Sequence, residues 1–265
     1  MLQQDIDQGR FTWCAVEHCG IKHNDIDHGM YELAINIDES CNLSCASCRR
    51  DTIMHTTGAV VEKKQQDMQR ILEWLEDFDR PLHVVTSGNG DPLASVVMRK
   101  FLQNYQPRPA QFWTMFTNGL LIKKQLERLP VLAAIKNFRI SVDAARADTY
   151  ARVRRGGHWP TLMENFEFLQ NFDGDFEVTV NFCVQQANYQ EIPEFIALCQ
   201  THGFKPHIHE LDDWGTWDRF HEHNVLDLRH PDHVACRNIV ESSLGKNHKR
   251  RWFFSTRLLE LLSLT

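Results

Sequence analysis

Three cysteines stand close together in the run from Ser40 to Arg49, with Cys41, Cys45 and Cys48 spaced C-x3-C-x2-C. Thiolates are soft ligands that suit iron-sulfur clusters and zinc. A tetrahedral zinc site wants a fourth protein ligand, and His55 is the one close candidate. Three thiolates alone would leave one iron of a cubane open to a small molecule, a catalytic arrangement rather than a structural one. Cys14, Cys19 and Cys236 form a second, scattered set with no evident fourth member, and buried packing residues are the competing reading for them. Cys183 and Cys199 read as packing residues, the latter on an apolar helix face, although Cys183 on the polar strand face could meet a substrate. The first residues, MLQQDIDQGRFTW, have no basic and apolar leader pattern, so the eight cysteines point to metal or redox chemistry in a reducing compartment, and the expected location is cytoplasmic.

Such a centre must be held by regular elements, and the chain shows short strand-like runs alternating with helical patterns. Strands are expected at Leu33 to Asp38, His83 to Ser87, Phe112 to Thr117, Phe138 to Val142, Phe176 to Val184 and His207 to Leu211. Between the first two, Met68, Ile71, Leu72, Leu75 and Phe78 build an apolar helical face. Leu162, Phe166 and Leu169 do the same later, as do Ile192, Phe195, Ile196 and Cys199. Repeated strand-helix units imply parallel strands with right-handed crossovers, in an open sheet or a barrel.

Side-chain alternation bears on that choice. Phe138, Ile140 and Val142 share one strand face, while Arg139, Ser141 and Asp143 share the other. Val178, Val180 and Phe182 lie opposite Thr179, Asn181 and Cys183 in the same way. A parallel sheet covered on both faces would be apolar on both, so a polar face predicts a lumen that holds a polar ligand. The expectation is a partial (β/α)6 TIM-like barrel over residues 31–217, with an N-terminal extension over 1–30 and a C-terminal one over 218–265. The C-terminal helical pattern from Arg257 to Leu262 would pack back on the barrel or dock a partner.

At 24% charged and 42% apolar residues the composition is that of a globular protein, and no apolar run is long enough to span a membrane. A formal net charge of -6 argues against a nucleic acid as partner, the basic run from Lys246 to Arg251 notwithstanding.

A cysteine triplet directly after a first strand, in a chain that continues as β/α units, resembles the radical S-adenosylmethionine (radical SAM) superfamily. The later motifs come in that superfamily's order from Tyr31 to Trp217. Ser87-Gly88-Asn89-Gly90-Asp91-Pro92 is similar to its glycine-rich stretch, whose backbone receives the methionine amino group; glycines allow that close approach. Phe116-Thr117-Asn118-Gly119 and Ile140-Ser141-Val142-Asp143 are similar to strand ends in the family. Ser47 departs from the pattern, since many members carry an aromatic residue there against the adenine.

The resemblance implies a [4Fe-4S] cluster on Cys41, Cys45 and Cys48. It implies S-adenosylmethionine held by Gly88, Asn89, Gly90, Asp91, Asn118, Ser141, Asp143 and Asn181, with Arg154 on its carboxylate because a guanidinium binds carboxylates bidentately. It further implies an electron donor such as a flavodoxin or ferredoxin, and a 5'-deoxyadenosyl radical that takes hydrogen from a peptide or a small metabolite. The segment carrying Cys14 and Cys19 resembles the N-terminal part of SPASM- and twitch-type members, which often hold a second iron-sulfur cluster. The alternative is a non-enzymatic iron-sulfur or zinc protein, which requires a fourth protein ligand.

Overall fold

A computed structural model describes residues 30–86, 89–126, 128–129, 131–132, 135–244 and 253–264. Its strands are β1 (Tyr31–Ile35), β2 (Leu82–Thr86), β3 (Gln111–Thr117), β4 (Ile135–Ser141), β5 (Glu177–Cys183) and β6 (Lys205–His209). All neighbours are parallel and the strands lie in chain order. No pairing joins β6 back to β1 among the described residues, so the sheet curls into a partial barrel without closing. The six expected strands are all present. β1 and β6 end two or three residues earlier than expected, because the chain leaves the ladder there to build loops.

Helices follow the strands: α1 (Ala59–Asp77), α2 (Val96–Asn104), α3 (Ile122–Leu126), α4 (Ala147–Val153), α5 (Trp159–Asn171), α6 (Ile192–Thr201), α7 (His233–Leu244) and α8 (Thr256–Leu261). In α1 the buried residues Met68, Leu72 and Leu75 recur at helical spacing. Each contributes about 1.5–3 kcal/mol on burial. They meet one face of the sheet, where Leu82, Val84, Trp113, Met115, Phe138, Ile140, Val178, Val180, Phe182 and Ile208 join a single hydrophobic core.

The opposite, concave face carries the polar set read from β4 and β5 and extends it. His83, Thr114, Asn137, Arg139, Ser141, Thr179, Cys183, His207 and His209 on this face are half-buried, and Asn181 is buried. The C-terminal segment packs back on the barrel. Phe254 bridges Ile208 in parallel, and the Ser255 N–H donates to the Ile208 carbonyl at 2.8 Å, which covers part of the β6 edge. Ser255 also caps α8, accepting from the Leu258 N–H at 3.1 Å, and Leu258 and Leu259 enter the core. Among the described residues no helix is long and apolar enough to cross a membrane.

Candidate active site at the carboxyl ends of the strands

Loops at the carboxyl ends of parallel strands form the sites of such folds, and the cysteine loop follows β1 there. It is tied down from several directions. The Cys41 N–H donates to the Ile53 carbonyl (2.8 Å), Ser44 N–H to Arg155 (3.0 Å) and Ala46 N–H to Val153 (3.2 Å). Arg155 reaches back, its Nε donating to the Ser44 carbonyl at 2.7 Å. A loop that follows β1 is thus stitched to the segment that follows α4. Cys45 is buried, Cys41 half-buried and Cys48 exposed. Burial pushes the Cys41 thiol up to about 11, so metal binding there must displace a proton.

The three cysteines line one cavity of about 160 Å³ together with Leu43, Arg49, Asn89, Gly90, Asp91, Phe116, Thr117, Asn118, Ser141 and Arg154. Six of the residues expected to hold the cofactor (Asn89, Gly90, Asp91, Asn118, Ser141 and Arg154) therefore meet the thiols in space. Gly88, Cys14 and Cys19, and the basic run from Lys246 to Arg251, lie outside the described residues.

Gly90 brings the loop after β2 against the loop after β1. A Cβ built on it would fall 2.3 Å from the Asp38 carbonyl oxygen and 2.6 Å from that of Ser40, both rigid backbone. Beside it the Asp91 N–H donates to the Ser40 carbonyl at 2.9 Å. Gly90→Ala must push the two loops apart. The expected outcome is a loss of about 1–3 kcal/mol in urea unfolding, the usual cost of overpacking. A fall in iron retained after reconstitution should accompany it. A variant with native iron content and an unchanged unfolding midpoint would show that the approach is dispensable.

Asp91 is buried, and its carboxylate is fully engaged. One oxygen accepts from the Leu93 and Ala94 N–H groups (2.9 and 3.2 Å), the other from the Thr117 hydroxyl (2.9 Å) and the Asn118 N–H (2.7 Å). Burial raises its pKa, against the pull of those donors. Asp91 thereby welds the β2 loop to the end of β3. Asn118, set at that end, donates through Nδ2 to the Asn42 side chain inside the cysteine loop at 2.8 Å.

Arg154, its side chain 14% exposed, brings a cation to the cavity. Its guanidinium pairs with Asp143 at 2.7 Å and donates to the Cys45 sulfur at 3.4 Å, while its buried Nε has no partner. Burial alone would lower its pKa, but Asp143 and the Cys45 sulfur more than reverse this and raise it. The guanidinium therefore stays charged beside the thiols. Asp143 and Asn181, which the resemblance also puts against the cofactor, are not among the residues lining this cavity. Asp143 has φ 58, in the left-handed region, so it leaves the strand alternation and turns its carboxylate onto Arg154 and the Cys183 N–H (2.8 Å). The Asn181 side chain instead accepts from Arg139 at 3.2 Å.

Behind the cysteine loop is a polar network that sequence reasoning missed. Lys64 of α1 bonds both Asp38 (3.0 Å) and Glu39, and His55 Nε2 bonds Glu39 at 2.9 Å. Ser95, the N-cap of α2, donates to Asp38 and accepts from the Met98 N–H at 3.0 Å. Lys64 holds the Glu39 carboxyl down to about 2. No sequence signal marks Lys64, which lies 26 residues from its Asp38 partner.

The donor set bears on the choice between zinc and a cluster. Among the described residues, the set of three His, Cys, Asp or Glu donor atoms gathered within 4.8 Å is Asp38, Glu39 and His55, and Lys64 already occupies its carboxylates. His55, turned onto Glu39, supplies no fourth ligand. Three thiols with no fourth protein ligand among the described residues suit an iron-sulfur cluster with one open iron. Cys236 lies in the apolar core with its thiol pushed up to about 12 by burial, and Cys199 lies there too, both surroundings of packing residues. Cys183, on the concave face, donates to the Glu210 carbonyl at 3.3 Å.

Fold and site define a parallel partial barrel with a three-thiol centre at the carboxyl ends of its strands. The chain belongs to the radical SAM superfamily, whose family model matches residues 35–199. The family's cofactors are S-adenosylmethionine and a [4Fe-4S] cluster. A GTP 3',8-cyclase of Alkaliphilus metalliredigens is 30% identical over 141 residues, covering 51% of this chain and 42% of the cyclase. A probable GTP 3',8-cyclase of Saccharolobus islandicus is 24% identical over 221 residues, covering 83% and 69%. The chain thus spans less than half the length of the first of these relatives. SuiB of Streptococcus suis, in a crystal structure with its precursor peptide SuiA, shares the fold with a TM-score of 0.57 at 16% identity, over 89% of this chain and 51% of SuiB.

Proposed function

We propose that this chain is a radical SAM enzyme that cleaves S-adenosylmethionine reductively and directs the resulting 5'-deoxyadenosyl radical at a C–H bond of a peptide or small metabolite. The observation that carries this reading is the shared cavity: three thiols, with no fourth ligand beside them among the described residues, open onto Gly90, Asn118, Ser141 and Arg154. When bound, the cluster and S-adenosylmethionine supply the electron transfer and the radical. The protein's own residues bind, orient and shield. Cys41, Cys45 and Cys48 hold the metal. The glycine-rich loop offers backbone to the methionine amino group, while Ser141 and the Nε of Arg154 offer hydrogen bonds to its polar groups. Asp143 keeps Arg154 charged and aimed, and Asp91 and Asn118 fix the loops around it. An electron donor such as a flavodoxin or ferredoxin would reduce the centre from the side on which Cys48 is exposed. A peptide substrate is supported by SuiB, which shares the fold and is crystallised with its precursor peptide.

The test is anaerobic reconstitution followed by iron and sulfide analysis, then a dithionite-reduced assay for 5'-deoxyadenosine. The expected result is about four irons per chain and cleavage of S-adenosylmethionine. An iron content near eight would bring Cys14, Cys19 and Cys236 into a second cluster. Stoichiometric zinc, or a cluster that never cleaves the cofactor under reduction, sinks the enzyme reading.

A further inference from the structure

The concave face of the barrel carries a cation with no counter-ion. Arg139, on β4, points to the polar side of the sheet and is half-buried. Its one hydrogen-bond partner is neutral, the Asn181 side chain at 3.2 Å, and its guanidinium lies over the Phe116 ring at 4.9 Å. Its Nε is buried without a partner, and no carboxylate pairs with it among the described residues. Burial alone depresses its pKa, with no acidic neighbour opposing.

Two further polar atoms of the same face are buried and unpartnered: Asn137 Oδ1 on β4 and His207 Nδ1 on β6. His207 lies beside Asn181 in the β5–β6 register. Burial and the nearby Arg139 and His209 hold its pKa down to about 4, so it is neutral and adds no competing charge at pH 7. Buried polar atoms normally find partners, and an unpaired buried charge is costly. Such atoms turned to one concavity offer a polar molecule several hydrogen bonds at once.

The position matches that role. Arg139 precedes Ser141 by two residues on the same face, about 7 Å along the strand at a rise of ~3.3 Å per residue. Phe116, on which its guanidinium lies, also lines the thiol cavity. A group held on Arg139 therefore sits next to the reacting centre without occupying it.

We propose that Arg139, with Asn137, Asn181 and His207 around it, seats an anionic group of the substrate, a carboxylate or a phosphate, inside the barrel. This rests on the radical SAM reading and narrows its substrate to an anionic molecule or an acidic peptide segment. Arg139 holds the anion by charge-assisted bonds from the guanidinium edge, including the free Nε, while Phe116 keeps the plane oriented.

The test is equilibrium dialysis of the reconstituted full chain against labelled inorganic phosphate and labelled acetate at constant ionic strength, with and without saturating S-adenosylmethionine. Saturable binding of at least one probe is expected, unchanged by the cofactor. Arg139→Gln should weaken it about tenfold or more and Arg139→Lys, which keeps the charge but loses the guanidinium edge, by a smaller factor, while the surface control Arg257→Gln should stay within about threefold of native. Preference between the probes separates a phosphorylated substrate from a carboxylate. Arg139→Gln should also melt no lower than native, since it removes an unpaired charge, whereas a purely structural arginine would leave a less stable variant. No saturable binding, binding that ignores Arg139→Gln, or displacement of the probe by S-adenosylmethionine each overturns the proposal. Arg139-dependent binding in a chain that never cleaves the cofactor would leave the anion seat standing and remove the radical reading.

Discussion

Alanine at Cys41, Cys45 and Cys48 together is expected to reduce bound iron from about four per chain to background and to abolish 5'-deoxyadenosine formation, while the barrel stays folded. The three thiols sit on a loop outside the strands, and that loop is held by backbone bonds from Ile53, Val153 and Arg155 that alanine leaves intact. None of the three belongs to the main hydrophobic core. The loss should therefore be chemical, with the melting temperature of the metal-free protein shifted by only a few degrees, about what 1–2 kcal/mol produces in a chain of this size. Single variants refine the result. Cys45→Ala also removes the sulfur that the Arg154 guanidinium faces, so it should be the least stable of the three. Iron analysis, the cofactor-cleavage assay and thermal melts on the same samples check this. Native iron content in the triple variant would place the cluster elsewhere in the chain.

Asp143→Ala is expected to be the most destabilising single change near the site. It strands Arg154 in a buried position without its counter-ion, a defect that costs about 3–5 kcal/mol when one partner of a buried pair is removed. The Cys183 N–H loses its acceptor as well. At roughly 2–4 °C per kcal/mol for a chain this long, the melting temperature should fall by about 10 °C. The pair Asp143→Asn with Arg154→Met separates stability from function. Asparagine tolerates the left-handed backbone at this position and can still accept from Cys183, while methionine removes the stranded charge. Most of the lost stability should return, since replacing both partners of a buried pair is near neutral. Cofactor cleavage should remain depressed, because the cation beside Cys45 is gone. Recovery of both properties would reduce the ion pair to a structural feature; recovery of neither would show that the left-handed turn needs the aspartate for itself.

The sequence by itself determined a cysteine spacing that suits a metal centre and the plan of the scaffold. Cysteine spacing is local, and so is the polar or apolar alternation along β4 and β5, which follows from the strand repeat of two. Cys41, Cys45 and Cys48 could therefore be read as metal ligands, and six strands with one polar face could be found from the chain alone. Gly90 and Asn118, which line the thiol cavity, were legible as candidates because they close strand-end motifs whose order is itself a linear property.

What each group touches was decided only in three dimensions. Arg154 meets a sulfur 109 residues away, and Lys64 crosses from α1 to two carboxylates after β1. Both contacts exist because parallel crossovers bring all six strand ends to one side. Asp143 meets Arg154 through a backbone that turns left-handed just past β4, a change that a period-two pattern cannot register. Arg139 was visible as a polar-face residue, yet its lack of a counter-ion depends on what the neighbouring strands place opposite it. Strand periodicity states which way a side chain points; only the packed sheet states whether anything there answers its charge.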